Sequence, residues 1–166
     1  VPDAERVILE DYKERSEHNT IVDLIRNDLN RVAEHVGVRR FRYIDRLQVS
    51  RGEILQVSSE VTGRLTGDYY SRLGDVVFGM LPAGSISGAP KPSTLHIIAR
   101  AEGERRGFYT GVFGYFDGKK LDSAVMIRYI EERDGHYYFR SGGGITINSD
   151  GRAEYEEVLA KVYLPF

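Results

Sequence analysis

The 166-residue chain has no cysteine. A disulfide scaffold is therefore excluded, and so is any zinc site built on thiolates. The same absence fits a reducing, cytoplasmic compartment. No apolar run approaches the roughly 18 residues that a membrane-spanning helix needs, so no membrane partner is expected. The opening residues, Val1-Pro2-Asp3-Ala4-Glu5-Arg6, lack the basic flank and apolar core of a signal peptide. Neither sign of charge is in excess. Lys plus Arg total 23 and Asp plus Glu total 25, for a net charge of −2, which argues against a nucleic-acid binder. The run Arg39-Arg40-Phe41-Arg42 interleaves Arg with an aromatic as single-strand binders do. One such patch on a balanced chain does not outweigh the net charge, and no nucleic-acid partner is expected. The four histidines are scattered, so no histidine-built metal site is expected, and serine-nucleophile motifs are absent. Glycine, by contrast, is abundant. The 18 glycines amount to about 11% of the chain, against an average near 7%, and they cluster.

Apolar periodicity predicts one long helix over residues 4–36, stopped by Gly37. Two strands follow, 39–47 and 54–61, joined by a turn at Ser50-Arg51-Gly52-Glu53. Residues 69–80 read as helix, 81–92 as a loop of small residues, and 93–107 as helix again. Strands at 108–116 and 121–129 flank the turn Asp117-Gly118-Lys119-Lys120. Asp134-Gly135 leads into a strand at 136–140, and Ile145–Ile147 reads as a short strand. Asp150 or Gly151 opens a last helix running from Arg152 to Tyr163. The expected order is αββααβββα, an α+β fold of antiparallel strands with helices packed outside, in one structural unit spanning 1–166.

Several residues suit chemistry. Glu14 and Glu17 are three apart on the first helix, and Glu154 and Glu157 three apart on the last, so each pair points two carboxylates one way. Two facing pairs would form an oxygen cage suited to Mg²⁺; alone, each pair equally describes a solvated helix face. Ser141-Gly142-Gly143-Gly144 follows a strand. It reads either as a nest of N–H groups for a carboxylate or as a bulge. The stretch 82–91, Pro-Ala-Gly-Ser-Ile-Ser-Gly-Ala-Pro-Lys, lacks the ending of a phosphate loop. It reads as a wrap around a small polar ligand or as a tight helix connection. Tyr109, Arg128 and Lys161 are the remaining candidates. Arg128 in an apolar strand either sits at an edge or grips an anion with its guanidinium fork. Lys161, four residues past Glu157, also reads as a helix ion pair.

Taken in order, these segments resemble the chorismate-utilising enzymes, a family comprising component I of anthranilate synthase, component I of aminodeoxychorismate synthase, and the isochorismate and salicylate synthases. The carriers are Glu14-Arg15-Ser16-Glu17-His18, the stretch Ile21–Leu29 reading IVDLIRNDL, the loop Gly84–Lys91, Tyr109–Tyr115, Ile127-Arg128, Gly142-Gly143-Gly144, and Glu154–Glu157 with Lys161. The resemblance implies that Glu17 and Glu157 ligate Mg²⁺, with Glu14 and Glu154 supporting. It implies that the amides of Gly142, Gly143 and Gly144, with Lys161, bind the ring carboxylate of chorismate. Tyr109 and Arg128 would hold the enolpyruvyl carboxylate, and Ser85 would line the ring. It also implies a glutamine amidotransferase partner that supplies ammonia.

Within the family, Ser87–Lys91 resembles the amine-forming branch. The stretches Tyr43-Ile44-Asp45, Arg51–Gln56 and Leu121–Ala124 are closest in style to aminodeoxychorismate synthase, with anthranilate synthase next. Two departures are visible. The family's Pro-x-x-G-T segment, which in aminodeoxychorismate synthases contains a ring-attacking lysine, would lie before Val1. The chain is thus expected to supply the C-terminal part of the catalytic domain, with exposed sheet edges and a large apolar face. On its own it reads either as an inactive part of the enzyme or as a non-catalytic binding module. In addition, Gln56 stands where many members have His, and Gln cannot titrate.

Overall fold

The computed structural model describes residues 3–49, 52–147 and 149–162. Their architecture is α+β with antiparallel strands, as expected. Two compact units follow one another along the chain, residues 1–101 and 102–166.

The first unit begins with two helices where one was expected. Helix α1 spans Ala4–Glu10 and α2 spans Tyr12–Asn30. The break is Asp11, whose carboxylate accepts the Glu14 N–H at 2.8 Å. Asp-x-x-Glu is the spacing of a helix-opening cap, and it restarts the helix in phase with a new apolar face. Helix α2 also stops six residues early. Val36 and Val38 are β-branched and sit in the strand that follows. Strand β1, Glu34–Val49, pairs antiparallel with β2, Gly52–Arg64. Of the turn expected at Ser50–Glu53, Ser50 and Arg51 lie outside the described residues. Gly37 is not a helix stop but a strand residue opposite Thr62.

The hairpin is irregular where it meets α2. Register shifts fall between Arg40 and Tyr43, and Arg42 takes φ +44°. Its N–H leaves the ladder and donates to Ser59 Oγ at 2.9 Å, as an inserted bulge residue must find a substitute acceptor. The same Oγ lies 2.7 Å from His18 Nε2. With Arg42 N–H donating to it, the hydroxyl can give its own proton to a neutral His18. Burial, followed by the nearby Arg42 charge, holds His18 below its ordinary value. Ser59→Ala leaves both partners unsatisfied. It is expected to lower unfolding free energy by about 1–3 kcal/mol, read as a drop in urea midpoint against a Ser58→Ala control. Equal midpoints for the two variants would show that this latch contributes nothing.

Helices α3 (Leu73–Gly79), α4 (Gly84–Ser87) and α5 (Lys91–Glu102) follow. The loop expected over 81–92 therefore contains a single helical turn, and α2 packs against that turn and against both hairpin strands. In the second unit β3 (Val112–Phe116) pairs with β4 (Leu121–Val125), and β5 (Tyr129–Arg133) with β6 (His136–Arg140). Strand β5 was not expected. Asp134 and Gly135 have φ +54° and +75°, the two left-handed residues of a tight hairpin turn, which needs a strand on each side. The strand expected at 145–147 is absent. Ser149 N–H bonds the Thr146 carbonyl at 3.1 Å, and Thr146 N–H bonds Ser149 Oγ at 3.0 Å. That local closure occupies the groups a ladder would need. Helix α6, Gly151–Ala160, is capped by Asp150, which accepts the Ala153 N–H at 2.9 Å.

The expected exposed apolar surface is present. Among the described residues Val22 is the one buried apolar side chain, while Phe78, Phe108, Phe113, Tyr115 and Tyr137 are each at least two-thirds exposed.

Candidate functional site

The second unit carries most of the predicted substrate residues and brings several of them together. Gly142 lies two residues past the end of β6, and its backbone runs against Tyr109. A Cβ at Gly142 would stand 2.1 Å from the Tyr109 hydroxyl oxygen. Any side chain there would require the Tyr109 ring or the backbone to shift. Gly143 faces α6: a Cβ there would meet Val158 at 3.4 Å and Glu154 Oε2 at 3.9 Å. Tyr109, the glycine run and Glu154 thus form one small constellation. Three glycines after a strand leave room on both sides for backbone N–H groups to meet a ligand.

Tyr109 is half-buried. Burial raises its phenol above the ordinary value, against the opposing pull of Arg106, so the hydroxyl is a donor at neutral pH. The Arg106 guanidinium lies 5.4 Å from the ring centroid and is bound by Glu102 at 2.6 and 2.8 Å. Nearby, the hydroxyls of Tyr129 and Ser141 are shut off from solvent with no hydrogen-bond partner among the described residues. Arg128 is not in a strand as expected. It lies in the bend between β4 and β5, exposed. Its charge therefore stays solvated, and its fork is free to meet an anion.

Glu154 is 5% exposed and Glu157 is exposed on the next turn of α6. Glu157 ion-pairs with Lys161. In the first unit, Glu14 is exposed in the first turn of α2, and Glu17 Oε1 is closed to solvent with Lys13 Nζ 3.9 Å away. Oxygen donors alone, all carboxylate, are what a hard cation such as Mg²⁺ prefers. Among the described residues of either unit, no three His, Asp or Glu side chains gather into a cation site; each unit carries one glutamate pair. Ser85 is exposed on α4. Gln56 is exposed on β2 with Nε2 3.5 Å from Ser58 Oγ. The basic run of β1 is engaged locally: Arg39 pairs with Glu60 at 3.0 Å, and Arg40 stacks 3.7 Å over the Tyr43 ring. An open groove of about 580 Å³ over α2 and β1, lined by Arg15, Val22 and Phe41 among others, includes none of the predicted site residues.

Residues 3–165 match the family described as chorismate binding enzyme. The chain belongs to the chorismate-binding enzymes. It is 58% identical over 165 residues to an uncharacterized PabA-like protein of Haemophilus influenzae, covering 99% of this chain and 50% of that protein. It is 40% identical over 161 residues to anthranilate synthase component 1 of Arthrobacter globiformis, covering 95% and 29%. The crystal structure of anthranilate synthase component I from Streptococcus pneumoniae superposes with a TM-score of 0.81 at 33% identity, covering 96% of this chain and 36% of that one. The chain therefore spans about half the length of the Haemophilus relative and about a third of the synthases.

Two residues with a contact that the sequence does not foretell lie beside the candidate residue Ser85. Asp28 and Lys91 form a nearly buried ion pair beneath the Ser85 loop. Both lie in the stretches that carry the family resemblance, but sequence alone does not show that they meet across 63 residues. Among the described residues no helix is long and apolar enough to cross a membrane.

Proposed function

We propose that this chain is the C-terminal part of component I of aminodeoxychorismate synthase, with Mg²⁺-dependent amination of chorismate to 4-amino-4-deoxychorismate as the activity of the whole protein. The observation that carries this reading is the Tyr109–Gly142–Gly143–Glu154 constellation, set within a family match that runs the length of the chain. The choice of branch rests on the likeness of Tyr43-Ile44-Asp45, Arg51–Gln56 and Leu121–Ala124 to aminodeoxychorismate synthase.

Chorismate is a dianion, and the proposed roles follow from its charges. Tyr109 donates its hydroxyl proton to the enolpyruvyl carboxylate, and Arg128 grips the same group with two parallel N–H bonds. The amides of Gly142, Gly143 and Gly144, with Lys161, receive the ring carboxylate. Ser85 packs along the ring. Glu17 and Glu157 would hold Mg²⁺, with Glu14 and Glu154 in support. When bound, the cation would supply charge neutralisation at the ring carboxylate and Lewis acidity. Ammonia would come from a glutamine amidotransferase partner, and the ring-attacking lysine from a segment outside this chain.

The test is a product assay. The full-length protein containing this chain, and the chain itself, are each given chorismate, Mg²⁺ and ammonium, and products are identified by chromatography with mass detection. Aminodeoxychorismate from the full-length protein is expected, and none from the chain alone. Anthranilate instead would move the protein to the branch of its 40%-identical relative and overturn the assignment.

A further inference from the structure

Asp28 lies on α2 and is 7% exposed. Its two carboxylate oxygens have different partners. Oδ2 accepts the backbone N–H of Gly84 at 2.9 Å. Oδ1 takes the Lys91 ammonium, and the same ammonium donates to the Pro82 carbonyl at 2.7 Å. One side chain thus fixes, directly or through Lys91, three points of the loop that bears Ser85: before it, at its start and after it. Gly84 is pressed so close to α2 that a Cβ there would fall 2.6 Å from Leu24 Cβ. Inside the loop, Ser87 is 2% exposed and its hydroxyl donates to the Ala83 carbonyl at 3.0 Å. Ser85 itself is exposed, so no packing of its own side chain sets where it points. Its direction is inherited from the backbone, and the backbone is held by Asp28.

A buried carboxylate is an expensive way to fasten a loop that apolar contact alone would hold. What it adds is direction, because a charged acceptor on a backbone N–H and on an ammonium fixes orientation as well as distance. We infer that Asp28 is a positioning residue. With Lys91 it holds the Gly84–Gly88 turn so that Ser85 meets the substrate ring, and it acts on substrate through Ser85 without touching it. This rests on the reading of Ser85 as a ring-lining residue.

The test uses the full-length protein with three variants. Asp28→Asn removes one of two acceptor oxygens and the charge. Gly84→Ala forces the loop off α2 while leaving the ion pair chemically intact. The charge swap Asp28→Lys/Lys91→Asp rebuilds the ion pair but gives Gly84 N–H no acceptor. Hydrogen exchange is read on the peptide covering residues 82–91, and chorismate binding and turnover are measured in parallel. In all three variants, loop exchange is expected to rise at least about tenfold, and chorismate KM to rise about tenfold with kcat nearly held. A merely structural role gives the opposite split: fewer folded molecules lower kcat and leave KM alone. Unchanged loop exchange in Asp28→Asn overturns the inference, as does faster exchange with unchanged chorismate affinity, or a charge swap that restores wild-type KM. If Asp28→Asn does not fold, Gly84→Ala decides. If the wild type binds no chorismate, the functional reading fails, while loop exchange still reports whether Asp28 holds the turn.

Discussion

Gly142→Ala is expected to lose both stability and chorismate affinity, and Tyr109→Phe in the same chain is expected to return only the first. The added methyl would stand 2.1 Å from the Tyr109 hydroxyl oxygen and 3.3 Å from the ring carbon that bears it. No rotamer change of an alanine relieves this, so the tyrosine ring or the glycine backbone must move. Overpacking of this kind costs about 1–3 kcal/mol. It also removes the phenol from the place where it would donate to a carboxylate, a charge-assisted bond worth about 1.5–3 kcal/mol, or a factor of ten or more in affinity. Deleting the hydroxyl removes the atom at 2.1 Å and leaves a contact at 3.3 Å that a shift of a few tenths of an ångström accommodates. The double variant should therefore unfold close to the wild-type denaturant midpoint yet bind chorismate no better than either single variant. Tyr109→Phe alone should keep its stability and lose affinity. A Gly142→Ala protein that matches wild type in both denaturant midpoint and chorismate titration would mean that Tyr109 does not press on the glycine run.

The sequence revealed local signals well and meeting points poorly. Asp150 was legible as a helix cap because its partner is three residues away, and Asp117-Gly118 as a turn because its residues set their own φ. Asp11 carries the same kind of signal, yet the apolar steps on either side of it continue smoothly enough to read as one helix. A cap interrupts hydrogen bonding without interrupting hydrophobicity. Strand β5 escaped because it is one side of a hairpin whose turn, Asp134-Gly135, read as an entrance only. Of the candidate site, the sequence singled out residues with chemistry of their own: the glutamate pairs, the glycine run, Tyr109 and Lys161. Asp28 was not. Its role comes from Gly84 and Lys91, 56 and 63 residues away, and an aspartate on a helix gives no sign in sequence of which backbone amide it will meet.

Glu17→Gln and Glu157→Gln are each expected to lower Mg²⁺-dependent chorismate affinity by about a hundredfold or more, and Glu14→Gln and Glu154→Gln by about tenfold, the range seen for ligands against their supporting shell. Gln keeps the volume and one acceptor oxygen of Glu but drops the charge, so the loss reads electrostatics and not packing. The free chain already offers a competitor at one of these positions, since Glu157 is ion-paired with Lys161. That competitor is weak: a partly exposed pair four residues apart on a helix is worth about 0.3–0.5 kcal/mol, far less than a divalent cation gains from a carboxylate. Its release would also free the Lys161 ammonium for the substrate carboxylate, so the two proposed roles on α6 would be taken up together. Chelation supplies the control. With EDTA the wild type should fall to the affinity of Glu17→Gln, and that variant should not fall further. Titration of chorismate by calorimetry, with and without Mg²⁺, reads both. If both Gln variants bind chorismate as tightly as wild type in Mg²⁺, Glu17 and Glu157 are not its ligands and the cation sits elsewhere. If only Glu154→Gln fails, the buried member of the pair, and not the exposed one, is the ligand on α6.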